Sequence, residues 1–563
     1  VDDKKIHFVV PVRGESGLYL QRCILSILEG QDYPHKKVTV VYDGMEEKKQ
    51  MGSALIAREN FKDDERINFI ELENNVGASA ARNTGLDYVK EQNESDYIVF
   101  YDCDCVLQPG AIRDWLIGFE ENPDCDFVYG GYRYSMRESY GSVIPSMPFD
   151  TYLLTCNNYI STMNPIKLGK CPRWNETLKG LQDWAFWLNV VIQLQLKGVM
   201  VPEWCTVTEP SERESNISVY TAKNWIECRK HALKSVGLGT RDIVVTTTGA
   251  PSQSLKRAQF LDADFLDPQI LMKPHNYKAI ISMGYFIESP MGAYSVFMNA
   301  GDAKKIIHFI GTDVWQLLGC SVREGIYLRK KLPHRVDKIY ANAPWLVKEL
   351  DEMGLESELL YCPIDSSKYS IKRLPKEFTV AVYCPKGHAI HSPMNSFYFD
   401  IARACPDIQW RFFGGIKPRR QGNVPKNIWF MGDIKSEDMP EFISRTSCIL
   451  RITKHDGFPA SVAEWVLSGR AFIFNNDEMP YNNFPVSVEL EEGSMIKDKE
   501  NVITAIRECQ RGIRKISDRD LKEARDHYSD LLDPEKYRLE ILRAINEVED
   551  SKPENIEVLA DVG

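Results

Sequence analysis

The sequence predicts an α/β protein of three compact units, each a largely parallel sheet covered by helices. Short apolar runs of strand length alternate with segments of helical spacing along most of the chain. Within the first hundred residues these runs end on polar residues. The length of 563 residues also exceeds what one hydrophobic core serves, at about 100 to 200 residues per domain.

The first run, Ile6 to Val12, is stopped by Arg13-Gly14-Glu15 and followed by helical spacing from Leu18 to Leu28. Val38 to Tyr42 ends at Asp43-Gly44, Ile67 to Leu72 at Asn74-Asn75, and Tyr97 to Tyr101 at Asp102. Ligands of such sheets bind at the carboxyl ends of the strands, so Asp43, Asn75 and Asp102 are expected to converge on one crevice of a nucleotide-binding domain. After about residue 215 the pattern restarts with Asp242 to Val245, Ala279 to Ser282, Ile306 to Ile310 and Lys338 to Tyr340. A third series opens at Phe378 to Tyr383. It continues through Gln409 to Phe413, which runs into Gly414-Gly415, then Ile428 to Phe430 before Gly432, Cys448 to Ile452, and Ala471 to Phe474. Residues 499–548 read as charged amphipathic helices, and the chain has no low-complexity linker or short-period repeat. The expected domains are 1–218, 219–365 and 366–563.

Composition narrows the class. A hydrophobic fraction of 43% and a charged fraction of 26% are those of an ordinary soluble enzyme. Sixty-nine Lys and Arg against eighty Asp and Glu give a formal charge of -11, which argues against a nucleic-acid partner held by bulk electrostatics. The short cluster Lys417, Arg419, Arg420 reads as a solvated loop. The 14 cysteines are scattered, several within apolar stretches, the usage of free buried thiols in a reducing compartment. With no charged-then-apolar leader at Val1 to Lys5 and no apolar run long enough to span a bilayer, the expectation is a cytoplasmic protein, or at most one attached to a membrane through its surface.

Three clusters carry chemistry in the first domain. Asp102 and Asp104, at i and i+2 after a strand, can present hard oxygen ligands to Mg²⁺ or Mn²⁺, although such pairs also occur as solvated turns. Cys103 and Cys105 alternate with them, but a zinc site needs about four ligands and no second Cys/His pair has fitting spacing. The run Asn75-Val76-Gly77-Ala78-Ser79-Ala80-Ala81-Arg82-Asn83-Thr84-Gly85 brings small residues to a helix start, with Arg82 as a charge for phosphate; it reads equally as a capped helix packed tightly on the sheet. In Leu181-Gln182-Asp183-Trp184-Ala185-Phe186-Trp187 an acid lies among aromatics, where desolvation raises a carboxylate toward a working base, or where it is an ordinary first-turn residue.

The segment Val9-Val10-Pro11-Val12-Arg13, then Asp43-Gly44, the Asn-x-Gly-x-x-x-Ala-Arg-Asn-x-Gly run, Asp-x-Asp and Gln-Asp-Trp together resemble the inverting, family 2-like glycosyltransferases of the GT-A fold, over residues 5–218. The resemblance implies a nucleotide-sugar donor, a UDP-sugar above all. Pro11, Arg13, Glu15, Asp43, Asn75, Gly77 and Arg82 would line its site, with Asp102 and Asp104 near ribose and metal. Asp183 would deprotonate a hydroxyl of a glycan or glycoconjugate acceptor, beside Trp184 in the acceptor cleft. Many relatives supply a later His to the metal. Here that stretch is Pro210 to Asn216, with no His, so either Glu212 or Glu214 substitutes or the metal keeps more water.

Asp456-Gly457-Phe458-Pro459-Ala460-Ser461-Val462-Ala463-Glu464 is by itself a capped helix. It also resembles the acid-x7-acid signature of retaining, family 4-like glycosyltransferases of the GT-B fold, with Asp in place of the usual first Glu. That resemblance covers residues 242–548 and implies two Rossmann-like halves, the first abbreviated, with C-terminal helices. The donor would then meet Gly414, Gly415, Lys386, Arg451, Lys454, Asp456 and Glu464. The usual basic pair is not matched at Cys384 to His388. His308 reads as an acceptor-cleft residue or as a satisfied core histidine. The leading expectation is a bifunctional enzyme that adds two sugars in succession. The alternatives are a single-activity transferase with a non-catalytic binding module, and a transferase acting on modified nucleic-acid bases.

Overall fold

A computed structural model describes residues 3–13, 17–44, 48–134, 143–144, 147–208, 220–221, 223–247, 251–266, 277–285, 297, 301–311, 313–315, 317, 336–384, 395–415, 424–453, 455–474, 479, 488–489 and 499–547. The chain folds as two compact units that divide between Thr240 and Arg241.

The first unit is built on one mixed sheet. Its strands are β1 (Ile6–Val12), β2 (Lys36–Asp43), β3 (Ile67–Leu72), β4 (Tyr97–Phe100), β5 (Cys105–Leu107), β6 (Phe127–Tyr134), β7 (Val143–Ile144), β8 (Ile166–Lys167) and β9 (Gly198–Thr208). They run in the order β3-β2-β1-β4-β8-β6-β9-β5, with β7 on β6. The half β3-β2-β1-β4 is wholly parallel, as the apolar runs predict. Its helices are α1 (Gly17–Leu28), α2 (Lys48–Phe61) and α3 (Ala78–Gln92). Beyond β4 the sheet turns mixed: β8 runs antiparallel to β4 and β6, and β5 antiparallel to β9. This half carries α4 (Ala111–Glu121), α5 (Thr151–Cys156), α6 (Gln182–Leu188) and α7 (Trp225–Ser235). Buried Ile6, Phe8, Val10, Val38 and Val40 from the strands meet Leu20, Ile24, Trp115 and Leu116 from the helices in one core cluster.

The second unit holds two wholly parallel six-stranded sheets. The first comprises β10 (Ile243–Thr247), β11 (Asp264–Leu266), β12 (Ala279–Met283), β13 (Lys304–Phe309), β14 (Lys338–Ala341) and β15 (Glu358–Leu359), in the order β11-β10-β12-β13-β14-β15. The other comprises β16 (Thr379–Tyr383), β17 (Gln409–Phe413), β18 (Ile428–Gly432), β19 (Cys448–Arg451), β20 (Ala471–Phe474) and β21 (Val488–Glu489), in the order β18-β17-β16-β19-β20-β21. That order reverses between β16 and β19, the switch point at which doubly wound sheets open a crevice. The helices are α8 (Pro251–Leu261), α9 (Pro344–Glu352), α10 (Asn395–Ala404), α11 (Met439–Ser444), α12 (Ala460–Leu467), α13 (Lys499–Gly512), α14 (Asp518–Leu531) and α15 (Pro534–Asn546). The last helix returns to the earlier sheet, where Tyr340 donates to Glu540 Oε1 at 2.8 Å. One contiguous core joins the two sheets, from Val244 and Ile307 to Trp410 and Trp465.

The described cysteines are free and buried, Cys103 and Cys105 among them. Among the described residues no helix is long and apolar enough to cross a membrane. The expected site residues Glu15, Lys386 and Lys454, the substitutes Glu212 and Glu214, and the cluster Lys417, Arg419, Arg420 lie outside the described residues.

Candidate functional site

The crevice at the carboxyl ends of β1, β2 and β4 is organised by the run from Asn75 to Gly85. Asp43, buried at the end of β2, accepts from the backbone N–H of Val76 at 2.6 Å and of Gly77 at 2.9 Å. Its carboxylate thus satisfies donors at the approach to α3, as a cap does. Gly77 sits there at φ 91°, a left-handed conformation that a side chain resists. Asn75 is exposed, and its Oδ1 accepts from Gly77 N at 3.2 Å. Pro11 and Arg13 lie at the end of β1, Pro11 half-buried and Arg13 exposed. Gly85 lets the helix lie close on the sheet, because a Cβ there would meet Val9 Cγ1 at 2.3 Å.

Arg82 and Asn83, one turn into α3, build the floor. The Asn83 side chain accepts from Trp174 N at 2.8 Å and donates to Trp174 O at 3.0 Å and Glu176 Oε1 at 2.7 Å, fixing the loop that carries Trp174. The Trp174 ring lies 4.5 Å from the guanidinium of buried Arg82, whose Nη2 donates to Asp102 Oδ1 at 2.8 Å. The sequence offers Arg82 as a charge for phosphate. In the fold its charge is already met by Asp102 and an aromatic face, so its first work is to hold Asp102.

Asp102 to Cys105 form a tight turn, closed by Cys105 N donating to Asp102 O at 3.1 Å. The chain alternates there, with Cys103 and Cys105 buried in the core and Asp102 and Asp104 half-buried at the crevice. Burial first, and then the two carboxylates, push the Cys105 thiol well above its ordinary value, which keeps it a neutral, inert hydrophobe. Among the described residues no group of three or more His, Cys, Asp and Glu forms a metal cage. Asp102 and Asp104 supply hard carboxylate oxygens, the donor type a divalent cation takes.

Asp183 stands in the first turn of α6. The entry to that turn is constrained. Leu181 takes φ 52°, ψ 35°, a left-handed conformation that costs a leucine about 1 to 3 kcal/mol. A Cβ on Gly180 would meet Thr221 Oγ1 at 2.5 Å and Cys228 Sγ at 2.8 Å. Burial raises the Asp183 carboxyl above the ordinary carboxylate value. The Trp184 backbone N–H, the Asn158 side chain and Arg82 work in the opposite direction, while Asp102 adds to the rise. Arg82 and Asp102 thus act on the Asp183 carboxyl in opposite directions. Trp184 is corrected: it is buried, and its Nε1 donates to Leu154 O at 2.7 Å, so it belongs to the core and not to an open acceptor cleft.

In the second unit Arg451 ends β19, Asp456 follows it and Glu464 lies in α12. Arg451 donates to Asp456 Oδ2 through Nε at 2.8 Å and to Ser461 Oγ at 3.2 Å, and its guanidinium lies 5.2 Å from the Tyr383 ring. Glu464 Oε1 accepts from Tyr369 at 2.8 Å, and burial raises its carboxyl. Lys256 of α8 and Arg451 pull that carboxyl back down. Gly414 and Gly415 turn at φ 101° and 84°, and a Cβ on Gly415 would strike Asp433 Oδ1 at 2.6 Å. Of the two readings of His308 the structure takes the core one. It is fully buried, its ring bonds Tyr537 Oη at 3.2 Å and Leu360 O at 2.8 Å, and burial lowers its pKa to about 3, so it is a neutral core histidine.

Sequence reasoning missed Asn158, Trp174, Lys256 and Tyr369. Asn83 was legible, because it stands inside the Asn-x-Gly run, whereas Asn158 is 25 residues from the carboxylate it touches and belongs to no motif.

Residues 7–166 match the family model described as Glycosyl transferase family 2. That span contains Asp43, Arg82, Asn83, Asp102 and Asp104 and stops short of Trp174 and Asp183. The chain is similar to two proteins of Streptococcus pneumoniae serotype 4. It is 34% identical over 150 residues to glycosyltransferase GlyA, covering 27% of this chain and 20% of that one, and 31% identical over 137 residues to glycosyltransferase GlyG, covering 24% and 42%. It is also 24% identical over 254 residues to the uncharacterized glycosyltransferase MJ1057 of Methanocaldococcus jannaschii, covering 42% of this chain and 84% of that one. The chain thus spans less than half the length of either pneumococcal relative. Its first unit carries a glycosyl transferase family 2 domain, a transferase domain.

Proposed function

We propose that the first unit transfers a sugar from a nucleotide-sugar donor, a UDP-sugar, to a hydroxyl of a glycan or glycoconjugate, with inversion at the anomeric carbon. The observation that carries this reading is the convergence of the Arg82–Asp102 pair with a desolvated Asp183. Asp102 and Asp104 would hold Mg²⁺ or Mn²⁺, which neutralises charge on a departing diphosphate. Asp183 takes the proton of the acceptor hydroxyl as its oxygen attacks the anomeric carbon, and the bond to the diphosphate breaks on the opposite face. One base and one in-line displacement give inversion. A carboxyl raised toward neutral pH is the stronger base while still ionised.

The proposal extends to the second unit as a GT-B-like module with a second, retaining donor site, which makes the chain bifunctional. Arg451, Glu464 and Lys256 at the switch crevice support it. A single-activity enzyme with a non-catalytic binding module is favoured by a different observation. Asp456 is already held by Arg451 and by Gly457 N at 3.0 Å, and a Cβ on Gly311 would meet Gly457 N at 2.4 Å, so the two loops touch backbone to backbone. Base modification in nucleic acid gains no support from a chain of charge -11.

The test is nucleotide release from a panel of nucleotide sugars, with and without Mn²⁺, by the intact protein and by Asp183→Asn and Glu464→Ala. Loss of one donor's turnover with Asp183 or metal, and of another's with Glu464, establishes two enzymes in one chain. Dependence of every activity on Asp183 makes the second unit a module, and metal-dependent turnover that survives Asp183→Asn removes the base from the mechanism.

A further inference from the structure

The segment from Leu154 to Ser161 is built as a cradle for α6. Trp184 Nε1 donates to Leu154 O at 2.7 Å, and Trp187 Nε1 donates to Ser161 O at 2.9 Å. These two indoles, three residues apart on one helix face, fix α6 against the segment at both ends. The segment is itself anchored. Asp150 caps α5 by accepting from Leu153 N at 2.8 Å, and Tyr159 Oη bonds both the N–H and the carbonyl of Asp150, at 3.0 and 2.9 Å. Midway between the two indole contacts, Asn158 Nδ2 donates to Asp183 Oδ2 at 2.7 Å.

The other end of that amide is unusual. Asn158 Oδ1 is buried with no hydrogen-bond partner among the described residues. A buried orphan acceptor is unfavourable and calls for a reason. Turning the amide over would set its oxygen against a carboxylate oxygen, so the orientation is imposed by the charge of Asp183 at the expense of Oδ1.

We propose that Asn158 is a positioning residue for Asp183: its amide N–H ties down one carboxylate oxygen and leaves the other turned to the incoming hydroxyl. This rests on Asp183 as the base. The groups facing Asp183 are Asn158 from the segment after α5, Arg82 from α3, Asp102 from the end of β4 and the backbone N–H of Trp184. Asn158 is the one neutral side chain among them, and it can be changed without touching the Arg82–Asp102 pair.

The test compares Asn158→Ala and the isosteric Asn158→Asp with the intact protein. One readout is the pH profile of nucleotide release from the donor that the intact protein turns over. The other, independent of any substrate, is the titration of the Asp183 carboxyl by difference infrared spectroscopy against Asp183→Asn. In both variants the carboxyl titration and the acidic limb of the profile are expected to move to higher pH, further in Asn158→Asp, which sets a second carboxylate beside the first. The turnover number at neutral pH is expected to fall about ten- to a hundredfold with donor KM unchanged. A carboxyl titration that stays in place in Asn158→Asp overturns the proposal, as does a rate loss with an unmoved pH profile, which marks a structural role alone. Turnover that persists in Asp183→Asn defeats instead the reading of Asp183 as base, and the infrared titration still decides whether Asn158 governs its charge.

Discussion

Asp183 is half-buried at the start of α6, and burial pushes its carboxyl above the ordinary carboxylate value of 3.8. That shift has a consequence for stability as well as for reactivity. Between 3.8 and the raised native value, the folded protein holds a proton that the unfolded chain has released. Stability from this group is therefore greatest at low pH and falls as pH rises through the native value. At neutral pH the ionised carboxylate opposes folding. Asp183→Asn keeps the size and the contact to Asn158 while removing the charge. It is expected to raise the thermal midpoint of the first unit by about one to a few degrees at pH 7.5, with the gain shrinking toward pH 4. The same variant is expected to lose about a hundred- to ten-thousandfold in transfer. Calorimetry at the two pH values checks the first expectation, and a lower midpoint at pH 7.5 would mean that Asn158 and Arg82 outweigh the burial. The opposition between a stable and a working site is a general one.

Helix α3 is where the motif, the packing and the site are one object. Gly77 turns into it, Asp43 caps its approach, Gly85 sets its distance from β1, and Arg82 and Asn83 reach from it to Asp102 and Trp174. Gly85→Ala places a methyl 2.3 Å from Val9 Cγ1, so the helix must lift or Val9 must shift. Overpacking of this kind destabilises by about 1 to 3 kcal/mol. It also draws Arg82 away from Asp102. The expected result is a lower denaturant midpoint together with weaker donor binding; a variant with native stability and native binding would show that α3 has room to spare. The legibility of the sequence follows the same physics. β1 to β4 and, in the second unit, β10, β12 to β14 and β16 to β20 were readable because the strands of parallel sheets covered on both faces are continuous apolar runs. The two- and three-residue strands β5, β7, β8, β11, β15 and β21 were not, since so few residues carry no period. Asp102, Asp104 and Asp183 were legible because each sits beside a pattern. Asn158 was not, because its partner is chosen by the cradle of tryptophan contacts, a tertiary fact. Trp184 and His308 show one limit of the sequence: a polar atom on a large ring suggests a ligand as readily as a core contact, and here backbone carbonyls and Tyr537 satisfy both rings.

At the scale of the molecule, the two compact units have separate cores, and the stretch before the division, Gly237 to Thr240, is largely exposed, with Gly237 at φ 76°. Each unit is large enough to bury a core of its own. The residues proposed to act on the first donor, from Pro11 to Asp183, all lie before the division, and those proposed for the second, from Lys256 to Glu464, all lie after it. Residues 1–240 and 241–563 made as separate proteins are therefore expected each to unfold cooperatively, with calorimetric transitions matching two seen in the intact chain. Nucleotide release that depends on Asp183 should stay with 1–240 at a rate within about threefold of the intact protein, since every described residue assigned to its crevice precedes Arg241. Any donor binding abolished by Glu464→Ala should stay with 241–563. A fragment 1–240 that folds but releases nucleotide only when 241–563 is added back would make the second unit a necessary part of the first site, and the division of labour drawn along the chain would then be wrong.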